Sequence, residues 1–168
     1  MIRPLLYRLT AGLPCRLISR DGTPYLERYL LARVGGVHVY LHRFVAGDGD
    51  EEVHDHPWRA LSIVLTGWYD EHRAYLSGRA GVVGPVRRVR WGNAIGLRTL
   101  HQITRTRPDT WTLFIAGPRR KGWGFFRPAR AADTGHPTVE YHQPFAEWRG
   151  EDWSTAKRGE NSGREAAA

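Results

Sequence analysis

The chain has 168 residues, a formal net charge of +8 at pH 7 and one cysteine, Cys15. A single domain of this length buries roughly two-thirds of its unfolded surface, and one cysteine excludes an intramolecular disulfide. The sequence shows no secretory signal and no apolar run near the roughly 20 residues of a membrane span, so we expect a cytoplasmic protein without a membrane partner.

Clusters of basic residues raise nucleic acid as a possible partner. The clusters lie at residues 87–90, 105–107 and 119–121. Only Lys121 and Lys157 are lysines, however, and this skew towards arginine is typical of GC-rich coding bias. No nucleic-acid-binding motif accompanies the charge. We therefore do not expect a nucleic-acid partner.

The N-terminal third of the sequence predicts one short helix and three strands. Residues 4–11 favour a helix that packs outside the rest of the fold or contributes to a subunit contact. Residues 15–19 and 25–34 flank a stretch, 21–24, with turn-forming residues. A glycine pair then precedes a third alternating run, 37–45. These strands indicate a meander.

Alternation in the third strand separates its side chains into two faces. One face carries Val37, Val39, Leu41, Arg43 and Val45, and the other carries His38, Tyr40, His42 and Phe44. The second set is amphipathic. It lines a cavity or forms an outer face, and the pattern alone leaves both open.

The rest of the sequence predicts further short strands, which together with the first three make an all-β barrel. The strands are expected at residues 60–66, 68–76, 86–91, 94–97, 101–106 and 110–116, with a turn region over 77–85. We expect a single domain over residues 1–149. Because residues 150–168 are polar, small and charged, we expect them to form a disordered tail.

Two histidines separated by one residue, His54 and His56, are the strongest indication of chemistry in this chain. On a strand both side chains lie on one face while Asp55 lies on the other. His101, at the start of a later predicted strand, is the candidate third imidazole. Three neutral imidazoles favour a transition metal over magnesium or calcium, which prefer oxygen ligands. The sequence therefore predicts a metal site.

This pattern resembles the cupin superfamily, whose members are jelly-roll barrels, also called double-stranded β-helices. Gly49 precedes His54 as in the first cupin motif, Gly67 falls at the end of that motif, and His101 takes the place of the second-motif histidine. The resemblance spans residues 37–126, and the runs HDHPW and GPRRKGWGF are similar to a group of bacterial and phage cupins. It implies a jelly-roll fold and a homodimer.

The sequence departs from the cupin pattern where that motif has a glutamate, because Ala60 and Leu61 occupy this region. The resemblance then implies a three-histidine site, as in cupins similar to thiol or diketone dioxygenases. Glu71, which shares a strand face with Tyr69, is a candidate for an additional ligand. Alternatively, Glu71 accepts a hydrogen bond from a metal-bound imidazole or is solvated.

The function favoured by these residues is that of a mononuclear non-haem Fe(II) oxygenase acting on a small, polar, anionic substrate. Tyr69 and Glu71 are the candidate proton donor or acceptor, Arg43 and Arg98 the candidate anion clamps, and Trp58 a candidate for the pocket rim. Zinc, nickel and manganese stay open as metals, as does a 2-oxo acid cosubstrate. The alternatives are a metal-dependent isomerase, epimerase or lyase, and a barrel that binds a small ligand without catalysis.

Overall fold

A computed structural model of the chain describes residues 2–20, 23–46, 53–77, 80–130, 137–142, 153 and 156–158. These residues contain one helix, α1 (Ile2–Thr10), which confirms the predicted N-terminal helix. The strands are β1 (Pro14–Arg20), β2 (Thr23–Val34), β3 (Val37–Phe44), β4 (Val53–His54), β5 (Ala60–Thr66), β6 (Tyr69–Ser77), β7 (Ala80–Val83), β8 (Arg87–Val89), β9 (Gly92–Ile95), β10 (Leu100–Thr106), β11 (Thr110–Ala116), β12 (Phe125–Arg130), β13 (Pro137–His142) and β14 (Lys157–Arg158).

The strands form two antiparallel sheets. The first sheet has the order β14-β1-β2-β3-β11-β5-β9, and the second has the order β13-β12-β4-β10-β6-β7, with β8 beside β6. Side chains from both sheets line one interior cavity, so the sheets face each other. This architecture confirms the predicted all-β jelly-roll barrel. No described helix has the length and apolar character that crossing a membrane requires.

Helix α1 covers the outer face of the first sheet. Leu6 packs there in a buried cluster with Tyr29, Leu41 and Trp111. The Tyr29 and Trp111 side chains have no exposed surface, and their rings stack with centroids 6.0 Å apart. Burial of these large apolar groups fixes the helix against the barrel.

The two faces of β3 meet different surroundings. Leu41 lies in the outer cluster beneath α1, whereas Tyr40, His42 and Phe44 line the interior cavity. Of the two possibilities for this amphipathic face, the cavity is therefore the one observed. His42 is the register partner of Arg28 on β2 and of Thr112 on β11.

Several strands were not predicted. Strands β12 and β13 pair with each other and complete the second sheet beside β4, and β7 lies within the expected turn region. Within the segment 150–168, the structure places Lys157–Arg158 beside β1 and the Trp153 ring 5.7 Å from that of Tyr40. Apart from Ala156, the remaining residues of this predicted tail lie outside the described part of the chain, as does the motif glycine Gly49.

Candidate metal centre

Three histidine side chains converge on the second sheet. His54 on β4 is the register partner of His101 on β10, and His56 follows two residues after His54. The Nε2 atoms of His56 and His101 are 2.7 Å apart, and one ring nitrogen from each of the three histidines lies within 4.8 Å of the others. Because metal–imidazole bonds are about 2.0–2.1 Å long, this group could hold one metal ion.

Asp55 points away from the two flanking histidines and fastens their segment to the loop before β12. Its Oδ1 accepts a hydrogen bond from the Gly124 backbone N–H at 3.0 Å, and its Oδ2 accepts one from the Lys121 ammonium group. The Arg120 backbone N–H donates to the Pro57 carbonyl at 2.7 Å. Hydrogen bonds therefore join the two segments that carry the runs HDHPW and GPRRKGWGF.

Glu71 lies behind His101 and sets its protonation pattern. The side chain is fully buried, and the Glu71 Oε1 atom accepts hydrogen bonds from His101 Nδ1 at 2.6 Å and Asn93 Nδ2 at 2.7 Å. Burial raises the pKa of the Glu71 carboxyl, but bonds from His101 and Asn93 and the charge of Arg73 outweigh this effect and bring the pKa to about 2. Because a carboxylate oxygen can only accept this hydrogen bond, Nδ1 of His101 carries a proton and the ring orientation is fixed, which leaves Nε2 facing His56.

These contacts bear on the three roles considered for Glu71, namely an additional metal ligand, an acceptor for an imidazole N–H and a solvated carboxylate. Its Oε2 accepts hydrogen bonds from Arg87 Nε at 2.7 Å and Arg73 Nε at 3.2 Å, so both carboxylate oxygens are occupied by the protein. Glu71 is not solvated, and it occupies the position of an acceptor for an imidazole N–H. The carboxylate is enclosed and is not among the described residues that line the cavity, and its expected role in proton exchange with a substrate stays a prediction.

A cavity of about 270 Å³ lies between the two sheets beside the three histidines. Its wall is largely aromatic and aliphatic. The apolar and aromatic lining residues are Ile18, Tyr25, Leu26, Tyr40, Phe44, Pro57, Trp58, Tyr69, Ile95, Ile103, Phe114, Trp123 and Phe125. Most of the wall therefore favours an apolar ligand surface.

Besides the three histidines, two of the predicted site residues line this cavity. Trp58 is half-buried, and its ring centroid is 6.1 Å from that of His56. Tyr69 is 2% exposed, and burial raises the pKa of its hydroxyl, although hydrogen bonding with Ser62 and Asn93 opposes the shift. Tyr69 therefore presents a protonated phenol near neutral pH.

Neither of the two arginines predicted as anion clamps is among the described residues that line the cavity. Arg43 lies on the outer face of β3, where its Nη1 is 3.0 Å from Glu27 Oε1 and its Nε is 2.8 Å from Asp109 Oδ1. Arg98 is exposed in the turn between β9 and β10. Arg43 shares its face with Leu41, so strand alternation directs it beneath α1.

Arg28 is the arginine that lines the cavity among the described residues. Its Nε donates a hydrogen bond to His42 Nε2 at 3.1 Å, and its guanidinium carbon lies 5.4 Å from the centre of the Tyr40 ring. The sequence contains an indication that Arg28 faces the cavity. Arg28 shares strand parity with Leu26 and Leu30, so it interrupts the apolar face of β2.

No family model and no curated protein matches this chain. It is similar to the solved structure of a cupin 2 conserved barrel domain protein from Rhodopseudomonas palustris, with 18% identity, a TM-score of 0.47 and coverage of 73% of this chain and 80% of the other. It is also similar to a conserved protein with a double-stranded β-helix domain from Klebsiella pneumoniae subsp. pneumoniae. The identity is 16%, the TM-score is 0.43, and the match covers 65% of this chain and 89% of the other.

Fe(II)-HppE, solved with the alternative substrate (S)-1-HPP, is a third similar structure. The identity is 14%, the TM-score is 0.44, and the match covers 62% of this chain. This chain spans only about half of that relative's length, because the match covers 55% of it. The named neighbours include a cupin barrel domain and a double-stranded β-helix domain.

Proposed function

We propose that the protein is a mononuclear metal-dependent enzyme whose metal is held by His54, His56 and His101. The observation that carries this proposal is the hydrogen bond from His101 Nδ1 to the buried carboxylate of Glu71, with His101 Nε2 turned towards His56. Histidine ligands commonly donate their second N–H to such a carboxylate, which fixes the tautomer and increases the basicity of the ring.

The electrostatic state of His56 supports the same assignment. Burial, followed by the charges of the neighbouring histidines and of Arg28 and Lys121, holds the pKa of His56 well below its usual value. The imidazole is therefore neutral near pH 7, and a neutral ring offers the lone pair that metal binding needs.

Within this class we favour a non-haem Fe(II) oxygenase, with zinc, nickel and manganese as the other possible metals. Three imidazoles suit these ions, and iron, when bound, supplies redox and Lewis-acid chemistry. The protein itself holds a proton at the Tyr69 hydroxyl, orients His101 through Glu71 and lines the site with a largely aromatic and aliphatic wall.

Elemental analysis of anaerobically purified protein tests the metal assignment. We expect about one iron per chain in the wild type and its loss in His56→Ala and His101→Ala. His72→Ala is the matched control, because His72 lies on β6 and outside the group of three ring nitrogens. Retention of one metal per chain in His56→Ala would refute the site.

A metal-dependent isomerase, epimerase or lyase is the second candidate. The buried Tyr69 hydroxyl favours it, because a protonated phenol in the cavity is suited to proton transfer without oxidation. Product formation under strict exclusion of dioxygen would support this candidate, whereas an absolute requirement for dioxygen would support the oxygenase.

The homodimer implied by the sequence resemblance remains a proposal. Ile2, Leu5 and Leu9 are exposed on α1 and provide apolar surface for a contact between copies. Light scattering coupled to size exclusion measures the mass, and a monomer at micromolar concentration would refute the dimer.

A further inference from the structure

A buried threonine on the cavity wall has a hydroxyl group without a hydrogen-bond partner. Thr112 lies on β11 and lines the cavity, and the residue is 1% exposed. Among the described residues, no hydrogen-bond partner reaches its Oγ1 atom. Buried hydroxyl groups in folded proteins nearly always have a partner, so this hydroxyl indicates a place where a further molecule binds.

Strand alternation gives the direction of the Thr112 side chain. Trp111 and Leu113, its neighbours in the chain, belong to the cluster beneath α1 on the outer face of the first sheet. Phe114, two residues after Thr112, lines the cavity. Because residues two apart on a strand share a face, the Thr112 side chain projects into the cavity.

The surroundings of Thr112 offer little to hold a water molecule. Its register partners are His42 on β3 and Val64 on β5. His42 Nε2 already accepts a hydrogen bond from Arg28 Nε at 3.1 Å, and the Phe114 ring stacks on His42 with centroids 4.8 Å apart. A buried water typically makes about three hydrogen bonds, whereas these neighbours present mainly ring and aliphatic carbon. A ligand with an apolar body of its own fits this position better than water does.

The rest of the cavity wall favours an aromatic ligand body. Tyr40, Phe44, Phe114 and Phe125 are among the aromatic residues that line the cavity, and aromatic rings pack well against one another. The cavity volume of about 270 Å³ lies just below the roughly 300–1,000 Å³ typical of ligand pockets. This volume fits a ligand with a single ring.

The hydroxyl of Thr112 matches a single, uncharged oxygen function. A threonine hydroxyl both donates and accepts, so it bonds either the carbonyl oxygen of a ketone or the hydroxyl of an alcohol. A carboxylate, by contrast, is bound most strongly by cations and by paired donors. The charged side chain of Arg28 on the same wall contacts the protein itself, through its bond to His42 and through the Tyr40 ring, 5.4 Å from its guanidinium carbon. The described contacts therefore favour an alcohol or a ketone.

Thr112 and the candidate metal ligands lie on opposite sides of the cavity. Thr112 belongs to the first sheet, His54 and His101 belong to the second, and all three residues line the same cavity. A ligand whose oxygen is bound at Thr112 therefore extends its body from the first sheet into the space that the histidines border.

We propose that the cavity binds one-ring aromatic alcohols and ketones, whose oxygen is hydrogen-bonded to Thr112 and whose ring lies against the aromatic wall. Thr112 thereby distinguishes such a ligand from a hydrocarbon of the same shape. That the bound compound is a substrate rests on the proposed function, whereas its binding does not. This uncharged, amphipathic ligand differs from the polar, anionic substrate expected from the sequence.

Calorimetric titration tests this specificity. The probes are benzyl alcohol and acetophenone, matched in shape by the hydrocarbons ethylbenzene and isopropylbenzene, and each is added to protein as purified and after chelator treatment. We expect saturable binding of at least one oxygen-bearing probe in both preparations. Binding after chelator treatment separates the contribution of Thr112 from any contact between the probe oxygen and a metal.

Two variants locate the oxygen of the probe. Thr112→Val keeps the shape of the side chain but lacks the hydroxyl, so it should bind the oxygen-bearing probe about 3–10-fold more weakly and the hydrocarbon with unchanged affinity. Thr112→Ser keeps the hydroxyl and is expected to retain the preference of the wild type for the oxygen-bearing probe. The melting temperature of Thr112→Val should not fall, because its hydroxyl has no described hydrogen bond to lose.

The possible outcomes distinguish the ligand class from the metal assignment. Failure of both oxygen-bearing probes to bind, wild-type affinity for them in Thr112→Val, or an equal loss for probe and hydrocarbon in that variant would overturn the ligand class. Tighter binding of benzoate than of benzyl alcohol would overturn it in favour of an anionic ligand. Probe binding by a wild-type protein that holds no metal as purified would instead overturn the proposed enzyme and leave the ligand class standing.

Discussion

Arg43 and Arg28 lie on neighbouring strands of the same sheet but on opposite faces, and their surroundings differ in charge. Arg43, on the outer face, contacts two carboxylates, those of Glu27 and Asp109. Arg28, on the inner face, donates to the neutral imidazole of His42 and lines a cavity. The comparison teaches that alternation along one sheet gives two arginines different surroundings: carboxylates on the outer face and, among the described contacts, a neutral imidazole on the inner face.

The outer network also attaches the helix to the barrel. Asp109 Oδ1 accepts hydrogen bonds from Arg43 Nε at 2.8 Å, from the Tyr7 hydroxyl at 2.7 Å and from Trp111 Nε1 at 3.0 Å. Asp109 has a φ of 60°, a conformation that aspartate and asparagine adopt more readily than most residues. One carboxylate thus links α1, β3 and β11.

The largest expected effect is on stability, and it separates the two arginines directly. Arg43→Met removes the ion pair between Arg43 and the fully buried Glu27 carboxylate and should lower the free energy of unfolding by about 3–5 kcal/mol. Arg28→Met removes a hydrogen bond to the neutral ring of His42 and should cost about 1 kcal/mol through that bond. Urea unfolding measures both, and equal losses would contradict the distinction.

The next effect concerns metal affinity. Glu71→Gln keeps the shape of the side chain but removes the charge that holds the His101 proton on Nδ1, so metal affinity should fall about 10–100-fold. Chelator competition measures this affinity. Asp70→Asn is the control, since Asp70 is adjacent on β6 but pairs with Arg88 on the other face. A change in melting temperature without a change in affinity would assign Glu71 a structural role only.

Two threonines on β11 extend the comparison to hydroxyl groups. Thr110 Oγ1 donates to the Arg107 carbonyl at 2.6 Å and accepts from the Trp68 backbone N–H at 3.2 Å, so Thr110→Val should cost about 1–3 kcal/mol of stability. Thr112→Val should be neutral or stabilising, because its hydroxyl makes no described bond. Thermal unfolding of the ligand-free protein compares them, and a loss of stability in Thr112→Val as large as that in Thr110→Val would contradict this prediction.

The smallest effect is a dependence of stability on acidic pH. Burial raises the pKa of Asp109, but hydrogen bonds from Arg43, Tyr7 and Trp111 outweigh it and lower the pKa below the usual value. A carboxyl with a lowered pKa in the folded state stabilises the fold above its unfolded value of about 3.9, and this stability is lost as the pH falls through the folded value. Asp109→Asn should therefore flatten the loss of stability below about pH 4, which unfolding at a series of pH values measures.

Much of the candidate metal centre was predictable from local pattern. His54 and His56 are two residues apart, so strand alternation places both rings on one face independently of the rest of the fold. His101, on a later strand, supplies the third ring. Gly67 of the motif also has a physical reason, since its φ is 85° and an added Cβ would collide with Thr110. Strand β12 was missed because Pro128 interrupts it and its residues do not alternate.

The sequence by itself determined the alternation of the strands, and from it the barrel class. The same alternation places the two histidines on one face, and it places Arg43 on the face of β3 opposite to Tyr40 and His42. Tertiary structure alone decided which face of the first sheet turns inward, and so which arginine meets the cavity. The physical reason is that strand alternation is a property of the local backbone, whereas the partners of a buried charge come from distant segments. Asp109 lies 66 residues from Arg43, and Asn93 lies 22 residues from Glu71.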